Sequence, residues 1–166
     1  MTVNPSQSST VYTVQTMFIR ILYLGFRIYC FLFRPIRMGV RVMMIQDGKV
    51  WLVRQTYMPG WFMPGGGLKK GETLEEAARR EAREETGAEL GVVSLFGAYS
   101  NFAEWKSDHN VLFLCGDFEF KGKPDGEIAE LRAFDLENLP ADLWLGHRRR
   151  LEEYRAGSAS PQFGMW

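Results

Sequence analysis

The spacing of apolar residues changes near position 36, and this change divides the chain into two parts. Residues 11–35 are mostly apolar and aromatic, and Arg20, Arg27 and Arg34 recur every seven residues. A seven-residue repeat nearly aligns these arginines along one stripe of a helix. The pattern therefore predicts an N-terminal helix over 11–35, with a thin basic edge and a wide apolar face, that ends at Pro35.

From Met38 onward, apolar and polar residues alternate, which is typical of β-strands. Met38–Met44 alternates along one face, Asp47-Gly48 is a hairpin turn signal, and Val50–Val53 forms the returning strand. We expect these elements to begin a single α/β domain over 36–155. The later pattern predicts three further strands, at Val92–Phe96, Val111–Cys115 and Glu127–Phe134. It also predicts a long loop over Gly97–Asn110 and a closing helix over Ala141–Tyr154.

Polar segments mark the two ends of the chain and the closing helix. Residues 1–10 are small and polar and predict a disordered tail, and 156–166 predict a flexible C-terminal tail. The closing helix carries the basic run Arg148–Arg150, which is interpreted as a solvent-exposed face. The chain has 166 residues, of which 46% are hydrophobic, and this is enough to bury the core of one domain.

A helix with recognisable ends lies between the early and the late strands. Thr73 and Glu76 form a capping box, so Thr73 is the predicted N-cap. Gly87, just past the last turn, is the predicted stop, and the helix therefore runs over Leu74–Thr86. Its outer face carries charged residues that are expected to pair at i,i+4, Glu75 with Arg79 and Glu76 with Arg80.

The inward face of this predicted helix holds carboxylates. At about 100° per residue, Glu81, Glu84 and Glu85 fall on the same side as the alanines that must face the protein. Three unpaired carboxylates on a buried face repel one another and lose hydration, which costs several kcal/mol. A hard divalent cation with oxygen ligands removes that cost. The alternative interpretation is a solvent-exposed helix rich in Glu and Arg.

The spacing of the charged residues favours the metal-binding interpretation. Gly66, Glu72 and the segment Arg80–Ala88 occupy every fixed position of the Nudix box, G-x5-E-x7-R-E-U-x-E-E-x-G-U, in which U is apolar. A lead-in of the form W-x-x-P-G-G-G, from Trp61 to Gly67, precedes the box as it does in that family. The chain therefore resembles the Nudix hydrolases over Met38 to Tyr154.

This resemblance implies a fold, a reaction and a cofactor. The fold is a Nudix-type α/β/α sandwich with a mixed sheet, here with an added N-terminal apolar helix. The reaction is Mg²⁺-dependent hydrolysis of a diphosphate bond in a nucleoside diphosphate linked to another moiety, with Mn²⁺ as an alternative metal. Nucleoside triphosphates, nucleotide sugars, ADP-ribose and other dinucleotides stay open as substrates. The alternative function is a non-catalytic Nudix-fold module that binds a ligand or a partner.

The resemblance also implies the residues of a metal site. Glu81, Glu84 and Glu85 resemble the metal-ligating glutamates of the family, and the carbonyl of Gly65 resembles a further ligand. Glu81 is also a candidate for the general base. Arg80 resembles the residue that fixes a box glutamate by an ion pair, so we expect it in the catalytic centre.

Residues outside the helix complete the candidate site. Glu72 resembles the outer box carboxylate that helps close the loop on the helix, and we expect it on the substrate side. Glu127, just before the late strand, resembles the carboxylate that some relatives use as base or ligand, with Glu130 as the alternative. His109 is a further candidate base, although a lone histidine beside a strand is more often structural.

Three aromatic residues in the long loop are candidates for binding the substrate. Tyr99, Phe102 and Trp105 offer rings that can stack on a nucleobase. Loops of this polar and aromatic composition carry specificity more often than they carry the fold. The alternative is that the three rings pack onto the core of the domain.

Charge and cysteine content narrow the partners and the compartment. The chain has 20 basic and 20 acidic residues and a net charge of zero, so a small-molecule nucleotide is expected as partner and a nucleic acid is not. Cys30 and Cys115 lie far apart in apolar runs, which indicates thiols in a reducing compartment and not a disulfide. A cytoplasmic protein is therefore expected.

The predicted N-terminal helix needs a partner for its apolar surface. The longest charge-free run in this segment is nine residues, whereas spanning a bilayer needs roughly 18 or more. The wide apolar face of 11–35 instead predicts contact with an anionic membrane surface, with a second copy of the chain or with the domain itself. In the first case the protein is peripheral at the inner face of a membrane.

Overall fold

The computed structural model describes residues 22–157 and 161–166, except for the side chain of Glu104. The predicted tail 1–10 and the predicted helical residues 11–21 lie outside the described residues. The elements in chain order are α1 (residues 22–33), β1 (Ile36–Gln46), β2 (Lys49–Gln55), α2 (Leu74–Thr86), β3 (Ala88–Leu90), β4 (Val93–Asn101), a 3₁₀ turn (Ala103–Trp105), β5 (Ser107–Cys115), β6 (Phe118–Phe120), β7 (Ile128–Asp135), α3 (Leu145–Arg155) and β8 (Gln162–Met165).

The described residues form two compact units. The small unit contains residues 22–36 and Phe102–Ser107, and so consists of α1 and the segment that holds the 3₁₀ turn. The large unit contains Arg37–Asn101 and Asp108–Trp166, with the sheet strands, α2 and α3. None of the helices within 22–157 and 161–166 is long and apolar enough to cross a membrane. Both Cys30 and Cys115 are free thiols, as the sequence predicts.

The large unit is built on a mixed sheet. Its six strands run in the order β7-β2-β1-β5-β4-β8, and a separate two-stranded sheet pairs β3 with β6. The pairs β1–β2, β2–β7 and β4–β5 are antiparallel, whereas β4 and β8 are parallel. The turn between β1 and β2 has φ 51° at Asp47 and φ 73° at Gly48, which are the left-handed values that a tight hairpin requires.

Two hydrophobic cores lie on the two faces of this sheet. Successive residues of β1 alternate between them, because side chains in a strand point to opposite faces. Val42 and Met44 join the core that contains the buried alanines of α2, whereas Met43 and Ile45 join the core that contains Leu151 of α3. The predicted α/β/α sandwich with a mixed sheet is confirmed by this arrangement.

The predicted long loop Gly97–Asn110 is wrong over most of its length. β4 continues to Asn101 and β5 already begins at Ser107, and the two strands remain paired out to Asn101 and Asp108. The polar composition of this stretch suggested a loop. A strand is nevertheless held by backbone hydrogen bonds to its neighbour, and it does not need apolar side chains on both faces. The closing helix is also shorter at its start, since α3 begins at Leu145.

The predicted flexible tail is corrected at residues 162–165, which form β8; residues 158–160 lie outside the described part. β8 pairs in parallel with β4, and the Trp166 amide donates to the carbonyl of Ser100 over 2.9 Å. The Trp166 ring meets the rings of Tyr99 and His147 at centroid distances of 6.0 and 5.1 Å. Main-chain pairing and an aromatic anchor therefore order the segment, despite its small and polar composition.

Candidate active site

Helix α2 has the ends that its sequence predicts. Thr73 is the N-cap: the amide of Glu76 donates to its hydroxyl over 3.2 Å, and its own amide donates to the Glu76 carboxylate over 2.8 Å. Gly87 closes the helix with φ 74°. Ala77, Ala78 and Ala82 are fully buried, so the helix is fixed on the sheet and the direction of its carboxylates is set.

Strand β1 holds the glycine turn that faces this helix. The amides of Val42 and Val40 donate to the carbonyls of Pro64 and Gly66 over 2.8 and 2.9 Å. Gly65 has φ 144°, and a Cβ there would collide with the carbonyl of Val40. A Cβ on Gly66 would lie 2.6 Å from a carboxylate oxygen of Glu81. Glycine is required at Gly65 because the backbone of β1 approaches it there, whereas a side chain at Gly66 would displace the carboxylate of Glu81.

Glu85 is the buried carboxylate of the site. Its Oε2 accepts a hydrogen bond from the Gly65 amide over 2.8 Å, and its Oε1 accepts one from Gln55 over 3.4 Å. Burial raises the pKa of Glu85 to about 7, and the charge of Glu81 adds to this, while the Gly65 bond and the charge of Arg41 oppose it. The carboxylate is thus held in place with its charge only partly compensated.

Arg80 occupies the centre of the charged face of α2. Its guanidinium forms ion pairs with Glu72 at 2.6 Å, with Glu81 at 2.7 Å and with Glu84 at 3.0 Å. The predicted pair of Arg80 with Glu76 is not formed, because Glu76 is committed to the capping box. Arg80 therefore orients two of the box glutamates at once.

Glu72 closes the glycine loop onto the helix. Besides the two contacts with Arg80, it accepts a hydrogen bond from the Lys69 amide over 2.9 Å. The hydrogen bonds from Arg80 are the main reason why the pKa of Glu72 falls to about 2. The expectation that Glu72 contacts substrate is not supported by this geometry, since both of its oxygens are engaged within the loop and the helix.

The carboxylates do not converge on one point as the helical wheel suggests. Within the described part of the chain, no three Asp, Glu, His or Cys side chains form a ready metal-holding group. The reason is that Arg80 draws Glu81 and Glu84 to itself, while Glu85 binds the Gly65 amide.

The donor set nevertheless fits a hard divalent cation. It consists of carboxylate oxygens and a backbone carbonyl, which such ions prefer. The buried Glu85 also lacks the full compensation that a bound cation would give. The residues that would hold the ion are the predicted ones, namely Glu81, Glu84, Glu85 and the Gly65 carbonyl.

Arg41 is a residue of this site that the sequence analysis missed. Its Nη1 donates to the Gly65 carbonyl, and its Nε is buried without a hydrogen-bond partner. Burial lowers the pKa of Arg41, while the charges of Glu85 and Glu81 raise it. The available signal was that Met43 and Ile45, which follow Arg41 on its own face of β1, are apolar, so this face packs on a core and a charge there needs a partner.

The loop before β7 lies at the C-terminal end of α2. The Asp125 amide donates to the Glu84 carbonyl over 2.9 Å, and the Glu127 amide donates to the Asp125 carboxylate over 3.1 Å. Partial burial, followed by the charges of Glu127 and Glu85, raises the pKa of Tyr57, so Tyr57 faces both carboxylates. The structure therefore brings Glu127 to the same end of the helix as Glu84 and Glu85.

Glu130 and His109, the other candidate bases, are engaged elsewhere. Glu130 forms ion pairs with Arg132 and, at 3.8 Å, with Arg54. His109 is hydrogen-bonded through Nδ1 to the hydroxyl of Ser100 over 2.9 Å, across the β4–β5 pair. These contacts leave Glu127 as the candidate with an exposed carboxylate near the box.

The three aromatic candidates for base stacking separate into two groups. Tyr99 is only 2% exposed, and its hydroxyl donates to Glu153 over 3.0 Å, so its ring belongs to the core and does not bind substrate. Phe102 and Trp105 belong to the small unit and remain exposed. Within that unit the Trp105 ring meets the Phe31 ring edge to face.

The chain is similar to known proteins over most of its length. A family model described as the NUDIX domain matches residues 35–154. An ADP-ribose pyrophosphatase from Methanocaldococcus jannaschii is 35% identical over 114 residues, which is 66% of this chain and 67% of that protein. An RNA pyrophosphohydrolase from Xanthomonas oryzae is 42% identical over 74 residues, which is 45% of this chain but only 35% of that protein.

A solved structure shares the fold. The crystal structure of a MutT NUDIX hydrolase from Burkholderia pseudomallei aligns with a TM-score of 0.63 and 27% identity, over 70% of this chain and 96% of that one. The aligned share and the family match both cover well over half of the present chain. On the strength of that match, which includes the whole of the box and strands β1 to β7, the chain belongs to the NUDIX domain family of hydrolases that act on nucleoside diphosphate derivatives.

Proposed function

We propose that this chain is a Mg²⁺-dependent pyrophosphohydrolase that cleaves the diphosphate bond of a nucleoside diphosphate linked to another moiety, with Mn²⁺ as an alternative metal. The observation that carries the proposal is the buried Glu85, held on the Gly65 amide beside Glu81 with its charge only partly compensated. A buried carboxylate of this kind is costly for stability alone. Its position at the glycine turn of a complete box supports a role in binding a cation.

The residues of the box divide the work between them. Glu81, Glu84, Glu85 and the Gly65 carbonyl would hold the metal. A bound Mg²⁺ would supply positive charge against the diphosphate and acidify the attacking water. Arg80 acts as a positioning residue, since its ion pairs fix Glu81 and Glu84 relative to each other. Fixed charges of this kind stabilise a transition state without having to reorganise during the reaction.

The proton acceptor is proposed to be Glu127, with Glu81 as the alternative. Glu127 is exposed and its backbone is tied to Asp125, which is bonded to the end of α2. Replacing Glu127 by glutamine should flatten the acid limb of the pH–rate profile and lower kcat. Glu130→Gln is the matched control, because Glu130 is paired with arginines. An unchanged Glu127→Gln profile, together with a flattened Glu81→Gln profile, would move the role to Glu81.

ADP-ribose is the first substrate to try. The ADP-ribose pyrophosphatase relative matches over about two thirds of both chains, and this supports the choice. Nucleoside triphosphates, nucleotide sugars and dinucleotides form the rest of the panel. The RNA pyrophosphohydrolase match adds a 5′-triphosphate RNA to the panel, although the match covers only about a third of that relative.

The test is a screen of these compounds with Mg²⁺ and with Mn²⁺. Phosphate, pyrophosphate and nucleoside monophosphate release are measured for the full chain and for Glu84→Gln. Release by the wild type and its loss in a folded Glu84→Gln variant are expected. Tight binding of a compound without release of any product would instead support a non-catalytic ligand-binding module.

The compartment and the association state form a separate part of the proposal. The two free thiols support a reducing compartment, and we place the protein in the cytoplasm. Residues 11–35 are proposed to mediate association, and the described part of this segment is rich in exposed apolar side chains. Light scattering on the full chain and on a form lacking residues 1–34 measures whether that association is between copies.

A further inference from the structure

Helix α1 of the small unit carries an apolar face that remains exposed. Leu24, Ile28 and Leu32 follow at four-residue intervals and are 59%, 52% and 65% exposed. Residues four apart lie on the same side of a helix, so the three form a continuous ridge. The flank of this ridge is also apolar and exposed, through Leu22, Tyr29 and Phe33.

The other side of α1 packs on the segment that holds the 3₁₀ turn and brings cations beside the helix. The guanidinium of Arg27 lies 5.7 Å from the centre of the Trp105 ring, and Phe31 meets that ring edge to face at 5.6 Å. The Lys106 ammonium lies 5.8 Å from the centre of the Phe26 ring. The cations thus flank the apolar face and do not interrupt it, which is the layout of an interfacial helix.

A cavity of about 430 Å³ opens in the same unit. Its lining combines two cations, a hydroxyl group and two aromatic rings, which belong to Arg34, Lys106, Ser107, Phe102 and Trp105. Cationic and hydroxyl donors suit the oxygens of a phosphate group. Two of the lining residues, Arg34 with φ 44° and Trp105 with φ 59°, hold left-handed backbone conformations, which cluster at ligand clamps.

We propose that the small unit docks on an anionic lipid surface, with the ridge of Leu24, Ile28 and Leu32 in the interface and a lipid phosphate in the Arg34–Lys106 cavity. This assigns the Trp105 ring to the lipid headgroup region, where aromatic rings with a polar edge are favoured. The proposed pyrophosphohydrolase would then bind a membrane through residues that take no part in catalysis.

Charge complementarity selects a lipid surface over a second copy of the chain. Residues 22–36 contain Arg27 and Arg34 and no acidic residue, and the turn adds Lys106 and Glu104, so the described small unit carries a net positive charge. Two copies packed through this face would bring like charges together, which costs binding energy. An anionic bilayer pairs with those same charges while it buries the apolar ridge.

The experiment is co-sedimentation of the full chain with two kinds of vesicle, pure phosphatidylcholine and an equal mixture of phosphatidylcholine with phosphatidylglycerol. Binding to the mixed vesicles, weakened by added salt, is expected. Leu32→Glu should abolish it, since a charge enters the apolar ridge. Lys106→Gln should weaken it about fivefold, the effect of one basic residue near an anionic surface.

Val92→Glu is the matched control for Leu32→Glu. Val92 is a 78% exposed apolar residue in the large unit, so a glutamate there tests added charge without touching the ridge. Vesicle binding should be unchanged in the control. Hydrolysis of a soluble substrate should be the same in all variants, because none of these residues belongs to the box.

Three outcomes would overturn the proposal. Equal binding by the wild type and Leu32→Glu would show that the ridge is not the docking surface. A dimer that Leu32→Glu dissociates, with no vesicle binding by the wild type, would show that a second copy is the partner. Saturable binding of inorganic phosphate that Lys106→Gln abolishes, again without vesicle binding, would show that the cavity serves a free phosphate.

Discussion

Two clusters of charged side chains lie in the large unit, one around the buried Arg150 and one around the buried Glu85, and they are compensated to different degrees. The first, here called the tail cluster, consists of Arg150, Glu153 and Tyr99. Arg150 pairs with Glu153 at 2.8 Å, donates to the Met165 carbonyl over 3.0 Å and lies 4.0 Å above the Tyr99 ring. Tyr99 in turn donates to the same carboxylate. Each charged group in this cluster has a direct partner of opposite charge within the chain, although the Nε of Arg150, like that of Arg41, is buried without a hydrogen-bond partner.

The second, here called the box cluster, consists of Arg41, Glu81 and Glu85. Arg41 donates a hydrogen bond to the Gly65 carbonyl, and its charge acts on the carboxylates of Glu81 and Glu85 from a distance. Glu85 is therefore left with a pKa raised to about 7. Direct pairing therefore characterises the cluster that stabilises the fold, whereas the incomplete compensation of Glu85 supports the proposed cation site.

The largest expected effect comes from breaking the tail cluster. Arg150→Met leaves the Glu153 carboxylate without its cation and should lower the free energy of unfolding by about 3 kcal/mol. Urea denaturation measures this change. Arg155→Met is the control, because its pair with Glu137 is exposed and should contribute under about 1 kcal/mol. Equal decreases in the free energy of unfolding of the two variants would show that the tail cluster does not stabilise the fold more than an exposed ion pair does.

Removing a charge from the box cluster should lower the turnover and leave the stability unchanged or higher. Glu85→Gln keeps an acceptor for the Gly65 amide but loses the charge, and turnover with Mg²⁺ should fall about 10²-fold or more. Thermal unfolding without metal should occur at the same temperature or higher, since the repulsion with Glu81 is relieved. Glu75→Gln on the exposed side of α2 is the control. Turnover within a few-fold of the wild type would refute the site.

Removing Arg41 should strengthen metal binding. Its charge and its bond to the Gly65 carbonyl both compete with a cation there, so Arg41→Met should bind Mg²⁺ about tenfold more tightly, or ~1.4 kcal/mol. Calorimetric titration with Mg²⁺ measures the affinity. Arg37→Met is the control for a lost arginine at an exposed position. Weaker binding in Arg41→Met would mean that Arg41 holds the turn in its metal-binding form.

The smallest expected effect is a pH dependence that comes from His147. This residue packs on Trp166, its Nδ1 accepts from the Met63 amide, and burial, followed by the charge of Arg41, lowers its pKa well below the usual value. The unfolded chain therefore binds more protons below about pH 6.5. The contribution of His147 to stability should therefore fall as pH drops through that value, by up to about 1.4 kcal/mol per pH unit. Glu85, whose pKa is raised to about 7, contributes the opposite slope over the same range, so the net pH dependence is small.

His147→Gln should remove the His147 contribution, so that the variant becomes more stable as pH drops from 7 toward 5, although the altered Met63 contact lowers its stability at neutral pH. The measurement is urea denaturation between neutral pH and pH 5 for both proteins. His109→Gln is the control, since His109 is hydrogen-bonded to Ser100 at the partly exposed end of the β4–β5 pair. If the pH dependence of stability changes in His109→Gln but not in His147→Gln, it comes from His109 and the prediction is wrong.

The sequence predicted those parts of the fold whose signals are local. Helix α2 begins after Thr73 and ends before Gly87 as expected, because a capping box and a C-terminal glycine act within a few residues. The Nudix family, the sandwich and the hydrolase class are confirmed for the same reason, since one short motif carries them. The prediction of a loop over Gly97–Asn110 was wrong because strand formation there depends on pairing with another segment of the chain.

The site was predicted in composition but not in arrangement. A helical wheel places Glu81, Glu84 and Glu85 together, but it cannot tell which of them Arg80 will draw away. Arg150 was interpreted as part of an exposed basic face, whereas its side chain is only 6% exposed beneath β8 residues that were expected to be a loose tail. The first error concerns a choice among ion pairs within α2, which a helical wheel does not rank. The second concerns a contact between α3 and β8, which spacing along one element does not encode.

The junction between α2 and the loop before β7 provides a built-in spectroscopic reporter. The Gly87 carbonyl accepts from the amides of Lys121 and Gly122, and the Glu84 carbonyl accepts from the amide of Asp125. These three amides exchange with solvent only when the last turn of the helix separates from the loop. Their exchange rates therefore follow the motion of the segment that carries Glu127, at single-residue resolution and without any label on the site.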